Sequence, residues 1–308
     1  MSTGLSKPPD STDAGDLAPR HDAADLPGDP RLRTVIEPPQ GWQVINFGEL
    51  WRYRELLLFL CWRDVKVRYK QTALGAAWAI LQPAMMMAVF MVFFGRLAGV
   101  STGEIPQSLF FLSGILPWFF FSTALTNAAN SVVGSERLIT RIYFPRLAIP
   151  FATVAAAAVD LVVACGLLAA MVVGYSVAGY TIAPGWTLLM VPVAIGLVGL
   201  TAAGLGAFLA ALNVAYRDFR YVVPFFIQLG MFATPAIYMR PTAGEGEAVA
   251  LLRALNPMNS LIETFRAGVL GGPVPWGRLG VAAAIAVVVF LAGCLYFRRV
   301  EERFADIV

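Results

Sequence analysis

Apolar residues in this chain gather into long runs, and short segments rich in charge, proline and glycine separate them. A helix needs about 20 apolar residues to cross roughly 30 Å of hydrocarbon. Six runs are long enough, at residues 74–95, 108–133, 148–174, 186–212, 221–239 and 279–297. The pattern predicts an all-α polytopic membrane protein with six transmembrane helices.

Composition agrees with this pattern, because 58% of the 308 residues are hydrophobic, 14% are charged, and the mean hydropathy is +0.67. Basic residues are retained on the cytoplasmic side of a membrane, so their distribution predicts orientation. Fourteen of the Lys and Arg residues after position 48 fall on the side that holds both chain ends, and five fall on the other side. Both termini are therefore predicted to be cytoplasmic.

The first 48 residues differ from the rest of the chain. They carry seven acidic side chains, four basic side chains and seven prolines, and such a segment buries too little apolar surface to offset its loss of chain entropy. We predict a disordered cytoplasmic tail at 1–48 and a transmembrane domain at 49–308. No short apolar core follows Met1, so we expect the first span, rather than a cleaved signal peptide, to direct insertion.

A scarcity of reactive side chains excludes several classes of function. His21, the only histidine, lies in the tail, and the three cysteines stand more than a hundred residues apart with no C-x-x-C pair. No glycine directly precedes a lysine, so the phosphate-binding loop G-x-x-x-x-G-K-[ST] is absent. We predict no catalytic residue, cofactor or metal site, and we expect a separate chain to hydrolyse any nucleotide that powers this one.

The segment at 49–73 precedes the first span and is too charged to cross a bilayer. Aromatic and aliphatic residues such as Trp62 fall near one helical face, and Arg63, Lys66 and Lys70 fall on another. This pattern is typical of a helix in the membrane interface. Two roles remain open, an anchor for the first span and a lever that transmits motion from a cytoplasmic partner.

Residues 135–146 connect the second and third spans and mix three arginines with five large apolar side chains. A solvated turn does not need so many apolar groups, so we predict that the segment docks onto a partner or onto the membrane surface. The candidate docking residues are Glu136, Arg137, Arg141, Tyr143, Phe144 and Arg146.

Residues 245–272 lie between the fifth and sixth predicted spans on the outer side. Ser260 and Glu263 match a capping box, and the amphipathic run after them ends at Gly271. Because this run is too short to span, we predict re-entrant helices, which survive at membrane depth only when buried in protein or lining a wet cavity.

Asp160 is the one ionisable residue deep in a predicted span. A carboxylate there costs roughly 2.5–3.5 kcal/mol, so it should face protein or water rather than lipid. We predict Asn127, Asn130 or Thr123 of the second span as its hydrogen-bond partner. A packing role and a role in transport chemistry both remain open.

Aromatic side chains concentrate in the first, second and fifth predicted spans. Aromatic rings stack on the flat faces of a ligand without requiring a fixed pattern of hydrogen bonds, so they suit a path for sugar chains. For any single ring, packing in the core or at the lipid interface is the alternative. The candidate path residues are Phe90, Phe94, Phe111, Trp118, Phe225, Phe232 and Tyr238.

Several motifs follow one another in a recognisable order. They are Arg63-Asp64 to Gln71-Thr72 running into Leu74-Gly75, Leu81-Gln82-Pro83, Glu136-Arg137 to Phe144-Pro145, Asn213 to Asp218, and Asn256-Pro257-Met258-Asn259-Ser260. With these motifs, residues 49–300 resemble ABC-2 type permeases that export polysaccharides or polyol phosphates, such as the membrane subunits for O-antigen, capsule and wall teichoic acid.

The resemblance implies a homodimer that engages two copies of a cytoplasmic ABC ATPase. It also implies a gate helix before the first span, a segment at 135–146 that couples to the ATPase, and re-entrant helices at 245–272 that close the outer mouth. The gate-helix residues are Trp62, Arg63, Lys66, Arg68, Tyr69 and Lys70.

The sequence therefore predicts the permease subunit of an ATP-driven exporter in the bacterial cytoplasmic (inner) membrane. Its expected partners are a lipid-linked polysaccharide or polyol phosphate polymer and membrane lipid, and nucleic acid is not among them. One alternative is an ABC-2 permease for a small amphiphile or drug, whose path needs fewer rings. Another is an intramembrane lipid-modifying transferase, which would need a base or a metal site.

Overall fold

The computed structural model describes residues 47–70, 75, 77–100, 102–135, 138, 144–182, 184–216, 218–238, 251 and 253–301. Residues 1–46, nearly all of the predicted tail, lie outside this part of the chain. The α-helices within it are α1 (Phe47–Arg52), α2 (Arg54–Lys70), α3 (Ala77–Phe90), α4 (Gln107–Ser131), α5 (Ala148–Val177), α6 (Met190–Ala215), α7 (Phe219–Phe232), α8 (Pro257–Leu270) and α9 (Trp276–Glu301).

Shorter helical segments lie next to four of these helices, and the one after α4 is a 3₁₀ turn at Val133–Ser135. A π-helical turn at Met91–Leu97 continues α3, a 3₁₀ turn at Trp186–Leu189 precedes α6, and another at Pro235–Ile237 follows α7. All regular structure in the described ranges is thus helical, as the hydrophobic pattern predicts.

Within the described ranges, five helices are long and apolar enough to cross a membrane, and they coincide with five of the six predicted spans. They are Ala77–Leu97, Gln107–Ser131, Ala148–Val177, Trp186–Ala215 and Trp276–Glu301.

The remaining predicted span, 221–239, differs in the structure. Its helix α7 has 14 residues, which at 1.5 Å per residue cover about 21 Å, less than the hydrocarbon core of a bilayer. The chain leaves the α-helix after Phe232 and turns at Pro235, because proline cannot donate the hydrogen bond that would continue it.

The core of the bundle lies around α4. In the apolar stretch of α4, 78% of the residues are buried, against 11% in the first span. Helices α3, α5, α6, α7 and α8 all contact α4. The first span therefore lies at the edge of the described bundle, while α4 is enclosed.

Helices α6 and α9 cross with their backbones in contact. A Cβ atom added at Gly293 would overlap the carbonyl oxygen of Gly204, and one added at Gly206 would lie 2.6 Å from the Cβ atom of Ala128 on α4. Small residues on α6 therefore allow close packing against both neighbours.

Replacing Gly293 with alanine should lower stability by about 1–3 kcal/mol, because the new methyl group has no space against α6. Thermal unfolding of the detergent-purified protein, monitored by size-exclusion chromatography, measures this loss of stability. Gly280→Ala on the same helix is the control, since its Cβ atom would meet nothing within 4 Å. Equal melting temperatures for the two variants would contradict the backbone contact.

Candidate functional site: the junction of α2 with the third span

Helix α2, which corresponds to the predicted gate helix, packs along α5 in the third span. Leu60 is its buried residue, whereas Trp62 is 66% exposed and faces away from the bundle. Lys66 follows Trp62 by four residues and so shares its face. The expected separation of apolar and basic faces is therefore wrong, because both kinds of residue are distributed around α2.

The remaining charged residues of α2 differ in their surroundings. The guanidinium of Arg63 donates two hydrogen bonds to Oδ1 of its neighbour Asp64, at 3.0 and 2.8 Å. Lys66 and Lys70 are exposed. Positive charge on α2 is thus available at the surface of the helix as well as at its contact with α5.

Asp160 on α5 joins the end of α2 to the third span. Its carboxylate oxygens accept hydrogen bonds from Nη1 of Arg68 and from the hydroxyl of Tyr69. The side chains of Arg68 and Asp160 are 32% and 22% exposed, so this ion pair is largely shielded. A shielded ion pair accounts for a carboxylate inside a span.

The partners that the sequence predicts for Asp160 are therefore wrong. The amide of Asn130 donates to the carbonyl oxygen of Thr126, and its side-chain oxygen accepts from Asn213. Asn127 and Thr123 lie on the wall of the same cavity as Asp160, but the donors to its carboxylate come from α2.

A cavity of about 440 Å³ lies beside this ion pair, between the end of α2 and the helices α3, α4 and α5. Ligand sites in proteins have volumes of about 300–1,000 Å³. Helix α4 contributes Phe119, Phe120, Thr123 and Asn127, and α3 contributes Trp78. The cavity thus combines aromatic faces with polar groups within a transmembrane bundle.

A second cluster lies at the start of α5. Phe144 is 4% exposed and packs in a buried group with Val214 and Phe297, against which Tyr53 and Leu56 also pack. Phe144, a predicted docking residue, therefore points into the protein. Its burial holds the end of the connecting segment against α2, α6 and α9.

Arg146 fixes the same end of the connecting segment to α9. Its backbone N–H donates to Oε1 of Glu301 at 3.2 Å, and its Nη1 atom donates to the carbonyl oxygen of Glu301 at 2.6 Å. The other candidate docking residues, Glu136, Arg137, Arg141 and Tyr143, lie outside the described residues.

The candidate path residues separate into three groups. Phe90, Phe111 and Trp118 are buried. Phe94 and Tyr238 stack on each other with ring centroids 4.7 Å apart, which joins the first span to the segment after α7. Phe225 and Phe232 are exposed at the surface of the protein.

Helix α8 lies within the region predicted to be re-entrant, of which residues 245–250 and 252 are outside the described residues. Asn256 caps the helix, since its Oδ1 atom accepts from the N–H of Met258 at 3.0 Å. The predicted capping box at Ser260 is therefore wrong by one turn.

Helix α8 is held by Arg266, which is 8% exposed. The guanidinium of Arg266 lies 3.8 Å above the ring of Phe110 and donates to Oγ of Ser113 at 3.2 Å. This short helix is thus buried against α4, the condition that re-entrant helices require.

A family model described as ABC-2 type transporter matches residues 55–270, from the start of α2 to the end of α8. The chain belongs to the ABC-2 type transporter family. It is therefore a multi-pass membrane protein and a transport subunit rather than an enzyme, and the family implies a separate ATPase partner.

Relatives match this ABC-2 chain over most of its length. The O-antigen export system permease protein RfbA of Myxococcus xanthus is 33% identical over 261 residues, which cover 84% of this chain and 97% of that protein. The protein of that name from Klebsiella pneumoniae is 26% identical over 264 residues, 85% of this chain and 97% of that one. The polysialic acid transport protein KpsM of Escherichia coli is 23% identical over 253 residues, 80% of this chain and 92% of that one.

Replacing Asp160 with asparagine should loosen α2, because Arg68 loses its charged partner. Loss of a largely shielded ionic contact costs about 1–3 kcal/mol, so the amide hydrogens of α2 should exchange roughly 5- to 150-fold faster in the solubilised protein. Hydrogen-exchange mass spectrometry of the peptides that cover α2 measures this change.

The matched control for this experiment is Asp64→Asn, whose carboxylate pairs with the adjacent Arg63 on the same helix. We expect a much smaller change in that variant, because no contact between α2 and α5 is removed. Unaltered exchange in Asp160→Asn would show that the ion pair does not hold α2 in place.

Proposed function

We propose that this chain is the permease subunit of an ATP-driven exporter of a polysaccharide. The observation that carries the proposal is the 33% identity to an O-antigen export permease, along 97% of that protein. O-antigen and polysialic acid, the cargoes in the relatives' names, are both glycans. Similarity that extends over nearly whole chains supports a shared transport task more strongly than a shared fold alone.

The proposed assembly is a homodimer with two copies of a cytoplasmic ABC ATPase in the bacterial cytoplasmic membrane. Its cargo is a lipid-linked polysaccharide or polyol phosphate polymer that moves outward. Family membership supports the ATPase, and so does the absence of the phosphate-binding loop from the sequence.

The proposed topology retains six crossings, with both termini cytoplasmic and residues 1–48 as a cytoplasmic tail. In this topology α7, the turn after it and the residues up to Tyr238 complete the fifth crossing, and α8 is re-entrant. The distribution of basic residues supports the orientation, and the burial of α8 against α4 is compatible with a re-entrant position.

The contacts of α2 support a mechanism for its role as gate helix. Near its start, Tyr53 and Leu56 pack against the cluster around Phe144, and at its end Arg68 pairs with Asp160. Asp160 lies on α5, and the cluster near the start of α2 includes Phe144 of the segment that leads into α5. A displacement of that segment by the ATPase would therefore move α5 and α2 together.

The proposed roles of the remaining residues follow from these positions. Arg137, Arg141 and Tyr143, with Glu136, would contact the ATPase, while Phe144 and Arg146 would hold their segment in place. Trp62, Lys66 and Lys70 would meet the membrane interface, where aromatic rings and basic groups are favoured. Phe225 and Phe232 would face the cargo in the dimer.

Deletion of the gene should remove the glycan from the cell surface and cause its lipid-linked form to accumulate inside. The physical reason is that a polar polymer cannot cross the hydrocarbon core without a conduit. Surface labelling and lipid extraction measure the two pools, and a plasmid copy of the gene is the control that should restore both. A normal surface glycan in the deletion strain would contradict the proposed function.

A further inference from the structure

The cavity beside Asp160 has a polar wall although it lies within the transmembrane bundle. Phe119, Thr123 and Asn127 are spaced by four residues along α4, so they share one helical face, and that face lines the cavity. Polar groups at this depth face protein or water rather than lipid. A polar ligand would find matching groups here.

The hydrogen-bonding capacity of this wall is not used by the described protein. Ser122, Thr126 and Asn130 on α4 each donate a hydrogen bond to a carbonyl oxygen of their own helix. Among the described residues, none hydrogen-bonds to the side chains of Thr123 or Asn127. The hydroxyl and the amide that face the cavity therefore remain available to a ligand.

Aromatic faces complete the lining of the cavity. Phe119 and Phe120 extend from α4, and Trp78, which is 42% exposed, extends from α3. Such rings bind the flat, hydrogen-rich faces of pyranose sugars, while hydroxyl and amide groups bind the polar rims. This combination favours a ligand with apolar faces and many hydroxyl groups.

The charge of the cavity favours a neutral ligand over a lipid phosphate. The charged groups on its wall, Arg68 and Asp160, already form an ion pair with each other. A phosphate would have to compete with Asp160 for Arg68 and would meet the negative carboxylate within the same site. A neutral sugar needs no such exchange.

We propose that this cavity is a subsite for a neutral sugar unit of the exported glycan. Thr123 and Asn127 donate and accept its hydrogen bonds, and Trp78 and Phe119 contact its ring faces. The assignment rests on the proposed function, and it adds the location and chemistry of one contact with the cargo. The volume of about 440 Å³ holds a short sugar segment and not a folded polymer.

Binding of a lipid-free oligosaccharide tests this assignment. The probe is the host's own glycan, released from its lipid by mild acid, and calorimetry measures its affinity for the detergent-purified permease–ATPase complex. Thr123→Val keeps the shape of the side chain and removes the hydroxyl, so it should weaken binding about three- to tenfold. Thr126→Val on the same helix should leave the affinity unchanged, because that hydroxyl bonds to its own helix.

A second pair of variants tests the aromatic wall. Phe119→Leu removes a ring that lines the cavity, whereas Phe121→Leu removes a buried ring that packs against Trp118. We expect weaker oligosaccharide binding in the first variant only. Equal affinities within both matched pairs, or no binding to the wild-type complex, would overturn the subsite.

The competing ligand is a lipid phosphate headgroup. Vesicles that contain a polyprenyl phosphate without sugar test whether the cavity binds it. If they bind and Thr123→Val weakens that binding while the oligosaccharide does not bind, the cavity is a headgroup site and the assignment is overturned. Failure of the subsite is distinguishable from failure of the proposed function, because the deletion strain reports glycan export without reference to this cavity.

Discussion

The position of α2 depends on a carboxylate inside a transmembrane helix. Asp160 lies twelve residues after the start of α5, about 18 Å along the helix axis, and a charge at that depth needs a partner. Arg68 and Tyr69 satisfy it from the end of α2. The same contact that stabilises the charge therefore holds the end of α2 against α5, and its two residues line one side of the cavity.

The described helices differ in how firmly they are packed, and this difference suits a transporter. Helices α4, α6 and α9 have backbone approaches that allow no added methyl group at Gly204, Gly206 or Gly293. The first span and α7 are less enclosed, since 11% of the apolar stretch of the first span is buried, against 28–78% in the other four, and α7 has Val223 as its buried residue. Close-packed interiors resist deformation, so conformational change is expected at the exposed helices, while the enclosed ones serve as a fixed frame.

The sequence alone is sufficient for five of the six predicted spans, because long apolar runs have few alternatives in a membrane protein. The sequence alone does not predict the residues that pair with Asp160. Arg68 lies 92 positions earlier in the chain, and no periodicity connects two helices that pack through tertiary contacts. The sequence pattern also favours a cap at Ser260, because Ser260 and Glu263 match a capping box one turn after Asn256, the residue that caps α8. By contrast, the spacing of Phe119, Thr123 and Asn127 by four residues is visible in the sequence and already indicates a shared face.

An exporter of a long polymer must hold each sugar unit weakly enough to release it, as conduction through a pore requires sites that are entered and left easily. Aromatic faces and a few neutral hydrogen-bonding groups meet this requirement, because each contributes about 1 kcal/mol. A free charge would bind an anionic group more tightly and slow its release. The pairing of Arg68 with Asp160 removes that free charge from the cavity while it holds α2 against α5. One interaction thus serves both the mechanical connection and the weak, neutral binding that continuous transport of a glycan needs.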